Sequence, residues 1–108
     1  MIEIMAIIRP NRTADTKRAL IEVGFAGYTC IKAIGRGKKP VEQVLPDGTR
    51  ITTKLVNKRL FLIVVPKEEE KKVVSALMKA NCYEEPGDGK IFVSQVEDSF
   101  NIHHACHD

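Results

Sequence analysis

The sequence predicts an α+β fold, a ferredoxin-like βαββαβ domain. Three observations carry the prediction: four segments rich in β-branched residues, two amphipathic helical segments set between them, and Gly or Pro at the junctions. The first strand is Ile2-Glu3-Ile4-Met5-Ala6-Ile7-Ile8, apolar apart from Glu3 and rich in β-branched residues, closed by Pro10-Asn11 and read as largely buried. From Thr13 to Val23, Asp15, Lys17, Arg18 and Glu22 interleave with Thr16, Ala19, Leu20 and Val23 at helical spacing, and Gly24 supplies the stop. Thr29 to Ile34 is the second strand, entered through Gly27 and left through Gly35. Leu60 to Val65 is the third, too uniformly apolar to leave one face in water, and Pro66 ends it. Glu68 to Ala80 places Val73, Val74, Leu77 and Met78 on one helical face, with Glu68, Glu69 and Glu70 at the end where the macrodipole favours anions. Lys90 to Val96 is the fourth strand, and Ser99 to His103 reads as an extended continuation. This order puts both helices on one face of a four-stranded antiparallel sheet. The apolar third strand then implies that other copies of the chain cover the opposite face.

The 108 residues, 44% hydrophobic and 29% charged, suit a single domain spanning 1–108. A net charge of +3 and an aromatic content of 6% argue against a nucleic-acid surface built on stacking rings. No run approaches the roughly 20 apolar residues of a membrane span, and Met1-Ile2-Glu3-Ile4-Met5 lacks the cationic start of a signal peptide, so the chain is expected in the cytoplasm. Cys30, Cys82 and Cys106 are widely separated and odd in number, which favours reduced thiols over a disulfide framework.

Arg36 to Asn57, between the second and third strands, is far longer than an ordinary hairpin connection and reads as a functional loop. Pro46-Asp47-Gly48 is a turn signal flanked by Val41, Val44, Ile51 and Leu55, so the loop can project as a hairpin when a partner engages it. Lys38, Lys39, Arg50, Lys54 and Lys58 concentrate positive charge along it and at its base. Two glycine segments, Gly35-Arg36-Gly37-Lys38-Lys39 and Pro86-Gly87-Asp88-Gly89-Lys90, combine backbone that can approach a ligand closely with an adjacent cation. Successive N–H groups in such turns form anion-binding nests, so the two together can cradle a polyphosphate. Each alone is also an ordinary turn, and neither matches a P-loop or a dinucleotide fingerprint.

Ala6-Ile7-Ile8-Arg9-Pro10, Gly35-Arg36-Gly37, Ile63-Val64-Val65-Pro66 and above all Gly87-Asp88-Gly89-Lys90-Ile91-Phe92-Val93 resemble the PII nitrogen-regulatory family, from residue 1 to about residue 103. Gly35 to Lys39, with Asp47-Gly48-Thr49 and Thr53 to Arg59, looks most like the NifI branch associated with nitrogenase operons. The resemblance implies a trimer, as a homotrimer or mixed with a sister subunit. It also implies ATP or ADP between neighbours and 2-oxoglutarate bound with Mg²⁺ and ATP at the base of the long loop. Carried over by position, Gly35, Gly37, Lys38, Gly87, Asp88, Gly89 and Lys90 handle nucleotide phosphates, while Thr29 and Val64 lie near the adenine. Lys58 meets a 2-oxoglutarate carboxylate, next to Gly87 and Lys39. The loop, through Val41, Val44, Asp47, Gly48, Arg50, Ile51 and Lys54, docks on a target, which the NifI resemblance makes the MoFe component of nitrogenase.

Three departures from the family pattern stand out. Ile51 replaces a loop tyrosine that other members carry as a modification site, so that modification is not expected. Lys39 replaces a Mg²⁺-ligating glutamine and, while protonated, has no lone pair to give. Asn101 and His103 replace two phosphate-contacting arginines, which weakens the nucleotide site and makes it pH dependent through His103. The tail supplies an alternative from another class: His103, His104, Cys106 and His107 are good transition-metal or redox groups, against which stands a solvated terminus. No Ser-His-Asp order, paired acids or H-E-x-x-H is present, and no enzymatic activity is expected.

Overall fold

In the computed structural model, residues 1–85 and 87–105 are described, with 37–41, 43, 51–54, 104 and 105 described through their backbone alone. The first strand, β1 (Ile2–Ile8), alternates strictly: Ile2, Ile4, Ala6 and Ile8 are buried and the residues between them are half-buried. Alternation with period two gives the strand two distinct faces, one of them fully covered. A 3₁₀ turn at Pro10–Arg12 leads into α1 (Thr13–Glu22), which Gly24 ends in a left-handed conformation while the Phe25 N–H donates to Leu20 O at 2.8 Å. This is the glycine stop read from the sequence. The remaining elements are β2 (Thr29–Val44), β3 (Arg50–Val65), α2 (Glu70–Asn81), β4 (Gly89–Gln95) and a short helical turn, α3 (Ile102–Ala105).

The sheet is antiparallel throughout, in the order β2-β3-β1-β4. Its covered face and the two long helices share one core, made of Ile2, Ile4, Ala6 and Ile8 from β1, Phe61, Ile63 and Val65 from β3, Leu20 from α1, and Val73 and Leu77 from α2. Between the helices one polar contact is buried: Asn81 Nδ2 donates to Thr16 Oγ1 at 3.0 Å, and the Thr16 hydroxyl donates to Arg12 O at 2.7 Å. The ferredoxin-like arrangement is therefore the one expected. Strand three is covered by helices on one face only: on the other, Val64 is 51% exposed, beside Ile31 at 43% and Phe92 at 47%.

Two segments differ from their sequence reading. Arg36 to Asn57, read as a loop, is the distal part of a long hairpin, because Val41, Val44, Ile51, Thr52 and Thr53 favour extended pairing. Its rungs run from Thr29↔Leu62 to Arg36↔Leu55 and resume from Val41↔Thr53 to Val44↔Arg50, so residues 37–40 of β2 face residue 54 alone. That is a wide bulge, at a stretch whose Gly37 and Pro40 suit irregular strand backbone. The turn is the Pro46-Asp47-Gly48 signal itself, with Gly48 at φ +88° and the Thr49 N–H donating to Asp47 Oδ1 at 2.9 Å. The arm stretches the molecule to 60 × 29 × 23 Å. Ser99 to His103, read as extended, instead enters α3, because Asn101 Oδ1 accepts the His103 N–H at 3.0 Å and caps the turn.

Candidate functional site

The glycine turn between α2 and β4 is built around Asp88. Its carboxylate is turned inward: Oδ2 accepts the Tyr83 N–H at 2.8 Å and the Glu85 N–H at 3.2 Å, while the Asp88 N–H donates to Glu85 O at 3.3 Å. These bonds, the Tyr83 N–H first, hold the Asp88 carboxyl below the ordinary aspartate value, with the Arg9 and Arg12 guanidinium groups adding to the effect. Asp88 thus organises the loop from within. Gly87 has φ +87°, and Arg9 Nε donates to its carbonyl at 3.0 Å. Gly89 has φ +145°, and a Cβ there would overlap Ile7 O on the neighbouring strand. Both glycines are therefore required by backbone geometry.

Register decides what lies beside this turn. Ile8 pairs with Arg59 on one side and Gly89 on the other, which sets Lys58 and Asp88 on either side of Arg9. Lys58 also pairs with Ala33, and a Cβ on Gly35 would sit 3.7 Å from Lys58 Cγ. Gly35, Lys58, Arg9 and Gly87 accordingly share one end of the sheet, at the root of the arm, and the bulge at 37–40 begins just beyond them. An end with two cations, Lys58 and Arg9, and two glycine backbones is suited to receive an anion.

Other predicted site residues lie elsewhere. Lys90 is on β4 with its Nζ 5.7 Å from the Phe92 ring centroid. Thr29 pairs with Leu62 at the β2 edge, about three strand spacings (~14 Å) from β4. Val64 pairs with Glu3 and stands six residues along β3 from Lys58, roughly 20 Å. Asn101 and His103 follow the far end of β4. One chain alone therefore gathers Gly35, Lys58 and Gly87 and leaves Thr29, Val64, Asn101 and His103 apart from them. On the arm, Asp47 is held below its ordinary value by the Thr49 backbone N–H, Arg50 pairs with Glu42 at 3.3 Å, and Val44 and Gly48 are exposed. For Gly37, Lys38, Lys39, Val41, Ile51 and Lys54 the backbone alone places them on the arm. Cys106 and His107 lie outside the described residues, and among the described residues no group of three His, Cys, Asp or Glu side chains could hold a metal ion.

Sequence reasoning missed three residues at this end: Arg9, Arg12 and Tyr83. The Arg12 guanidinium lies 3.5 Å from the Tyr83 ring centroid, and Arg9 grips Gly87. The available signal was the place of Arg9-Pro10 at the end of β1, level with Gly89 at the start of its neighbour β4.

A profile of the family described as Nitrogen regulatory protein P-II matches residues 1–105. The chain belongs to the PII family. Among individual PII relatives, a nitrogen fixation nifHD region GlnB-like protein 2 of Methanothermobacter marburgensis is 36% identical over 111 residues, covering 94% of this chain and 92% of its own. The protein of the same description from Methanococcus maripaludis is 39% identical over 113 residues, with the same coverage of 94% and 92%. A nitrogen regulatory protein P-II of Pyropia yezoensis is 34% identical over 97 residues, 90% of this chain and 87% of that one. This PII protein is thus a nitrogen regulatory protein by family, with relatives from nifHD regions as the NifI resemblance anticipates.

Proposed function

We propose that this PII protein is a non-enzymatic signalling subunit that binds ATP or ADP and 2-oxoglutarate in the cytoplasm and regulates nitrogen fixation through its arm. The target is a nitrogenase component. The observation that carries the reading is the placement of Gly35, Lys58, Arg9 and Gly87 together at the root of the arm. A ligand held there touches the segment from which the arm departs, so its binding free energy couples to arm conformation. The nucleotide reading also calls for a second copy. Thr29 and Val64 are remote from Gly87 within one chain, and both sheet edges, β2 and β4, are free to meet those of neighbours. A trimer, alone or with a sister subunit, supplies the missing half of each site and covers the half-exposed Val64, Ile31 and Phe92.

The test is capture of purified nitrogenase by the protein with and without Mg-ATP and 2-oxoglutarate. Capture without effector and release with both is expected. Capture indifferent to both ligands would rule the mechanism out.

A further inference from the structure

The glycine turn is braced from outside by a pair of residues with no place in the nucleotide reading. α2 ends at Asn81, and the chain then passes through Glu84, a non-glycine residue at φ +57°, before reaching Gly87. A left-handed residue without a glycine's freedom is unfavourable and persists only where its surroundings hold it. Asp88 holds the turn from inside, and one of its two donors is the Tyr83 N–H. Tyr83 itself is held by its ring, which lies beneath the Arg12 guanidinium at 3.5 Å. Arg12 is anchored in turn: NH1 donates to Asp15 Oδ2 at 3.0 Å, and its carbonyl accepts the Thr16 hydroxyl, which also receives Asn81 Nδ2. The segment at 12–16 and the segment at 81–88 are thus joined twice, at Thr16 with Asn81 and at Arg12 with Tyr83. A third join, Arg9 to Gly87, lies nearer the candidate site.

We propose that Arg12 and Tyr83 are positioning residues whose stack keeps the Tyr83–Asp88 bond closed and so presents the Gly87 and Gly89 backbone to an anionic ligand. The ligand half of this statement rests on the nucleotide reading above; the brace itself does not. A guanidinium on a partly exposed ring changes an equilibrium by about threefold to thirtyfold. The same factor is expected in the opening of the turn.

Amide hydrogen exchange on the ligand-free full chain, comparing wild type with Tyr83→Ala, Tyr83→Phe and Arg12→Ala, tests the brace. Exchange at the Tyr83, Glu85 and Asp88 amides should accelerate by that factor in Tyr83→Ala and Arg12→Ala and stay at the wild-type rate in Tyr83→Phe, which keeps the ring. Core amides of β1 and β3 should be unchanged in all four proteins. Titration of the same proteins with ATP and ADP should show the dissociation constant rising by a similar factor in Tyr83→Ala and restored in Tyr83→Phe. Unchanged exchange in Tyr83→Ala, or acceleration spread equally over the core, overturns the brace. Accelerated exchange with unchanged nucleotide affinity overturns the positioning role. Wild-type protein that binds neither nucleotide overturns the nucleotide reading, while the exchange rates still decide the brace.

Discussion

Gly89 is the most constrained single position, since its φ of +145° and the proximity of Ile7 O leave no room for a side chain. Gly89→Ala should cost about 1–3 kcal/mol through the strained backbone. A melting curve should register this as a fall of roughly 4–8 °C per kcal/mol for a domain of this size. Lys90→Ala leaves the backbone alone and removes a cation, so it should weaken ATP binding by about 1–3 kcal/mol in calorimetry with little effect on melting. Asp88 predicts a pH dependence with a definite sign. Its folded-state pKa is lowered, so its contribution to the turn is fully present above the ordinary aspartate value and is lost as pH falls through the lowered one. Order in the turn, followed by NMR, should hold from neutral pH down to about 4 and decline below it. The carboxylate meets the Tyr83 and Glu85 N–H groups and the cations of Arg9 and Arg12, and Asp88→Asn should remove the acid transition.

Between the helices, Asn81 donates to Thr16 Oγ1 and Leu77 O from a buried position. Asn81→Ala strands the Thr16 hydroxyl's second contact and should destabilise the protein by about 1–3 kcal/mol in denaturant titration. The arm behaves oppositely, because none of its described side chains belongs to the core. Deleting residues 41–54 should leave the melting temperature nearly unchanged while abolishing capture of the target. These elements also show what was legible beforehand. The apolar run of β1 marked a real strand whose two-residue alternation only the structure shows, Gly24 and Pro66 marked real ends, and Pro46-Asp47-Gly48 marked the real turn. The distal hairpin was harder to read because charged residues and glycines interrupt its apolar positions, which leaves no regular hydrophobic period in the sequence. The Asn101 cap was equally hidden, since a single side-chain acceptor redirects the chain without changing its composition. Gly35, Lys58 and Gly87 were legible as candidate site residues through motif, whereas Arg9, Arg12 and Tyr83 come to the same end only through register and stacking between segments distant in sequence.

At the scale of the molecule, β2 and β4 lie at opposite edges of the sheet and run antiparallel to one another, so the β4 edge of one copy can continue into the β2 edge of the next. Light scattering should therefore give about three times the 12.1 kDa chain mass at micromolar concentration. A stable monomer would remove the basis for shared sites. The bulge at residues 37–40 gives the arm a mechanical asymmetry. β3 runs without interruption from Val65 in the core to Arg50 beside the tip, whereas β2 carries slack opposite residue 54. A beam with one inextensible flange and one flange of adjustable length does not stretch when the second shortens; it curls. Any ligand that gathers or pays out backbone at 37–40 consequently swings the tip sideways through a distance set by the length of the arm, and a change of a few ångströms at the root is magnified at Gly48.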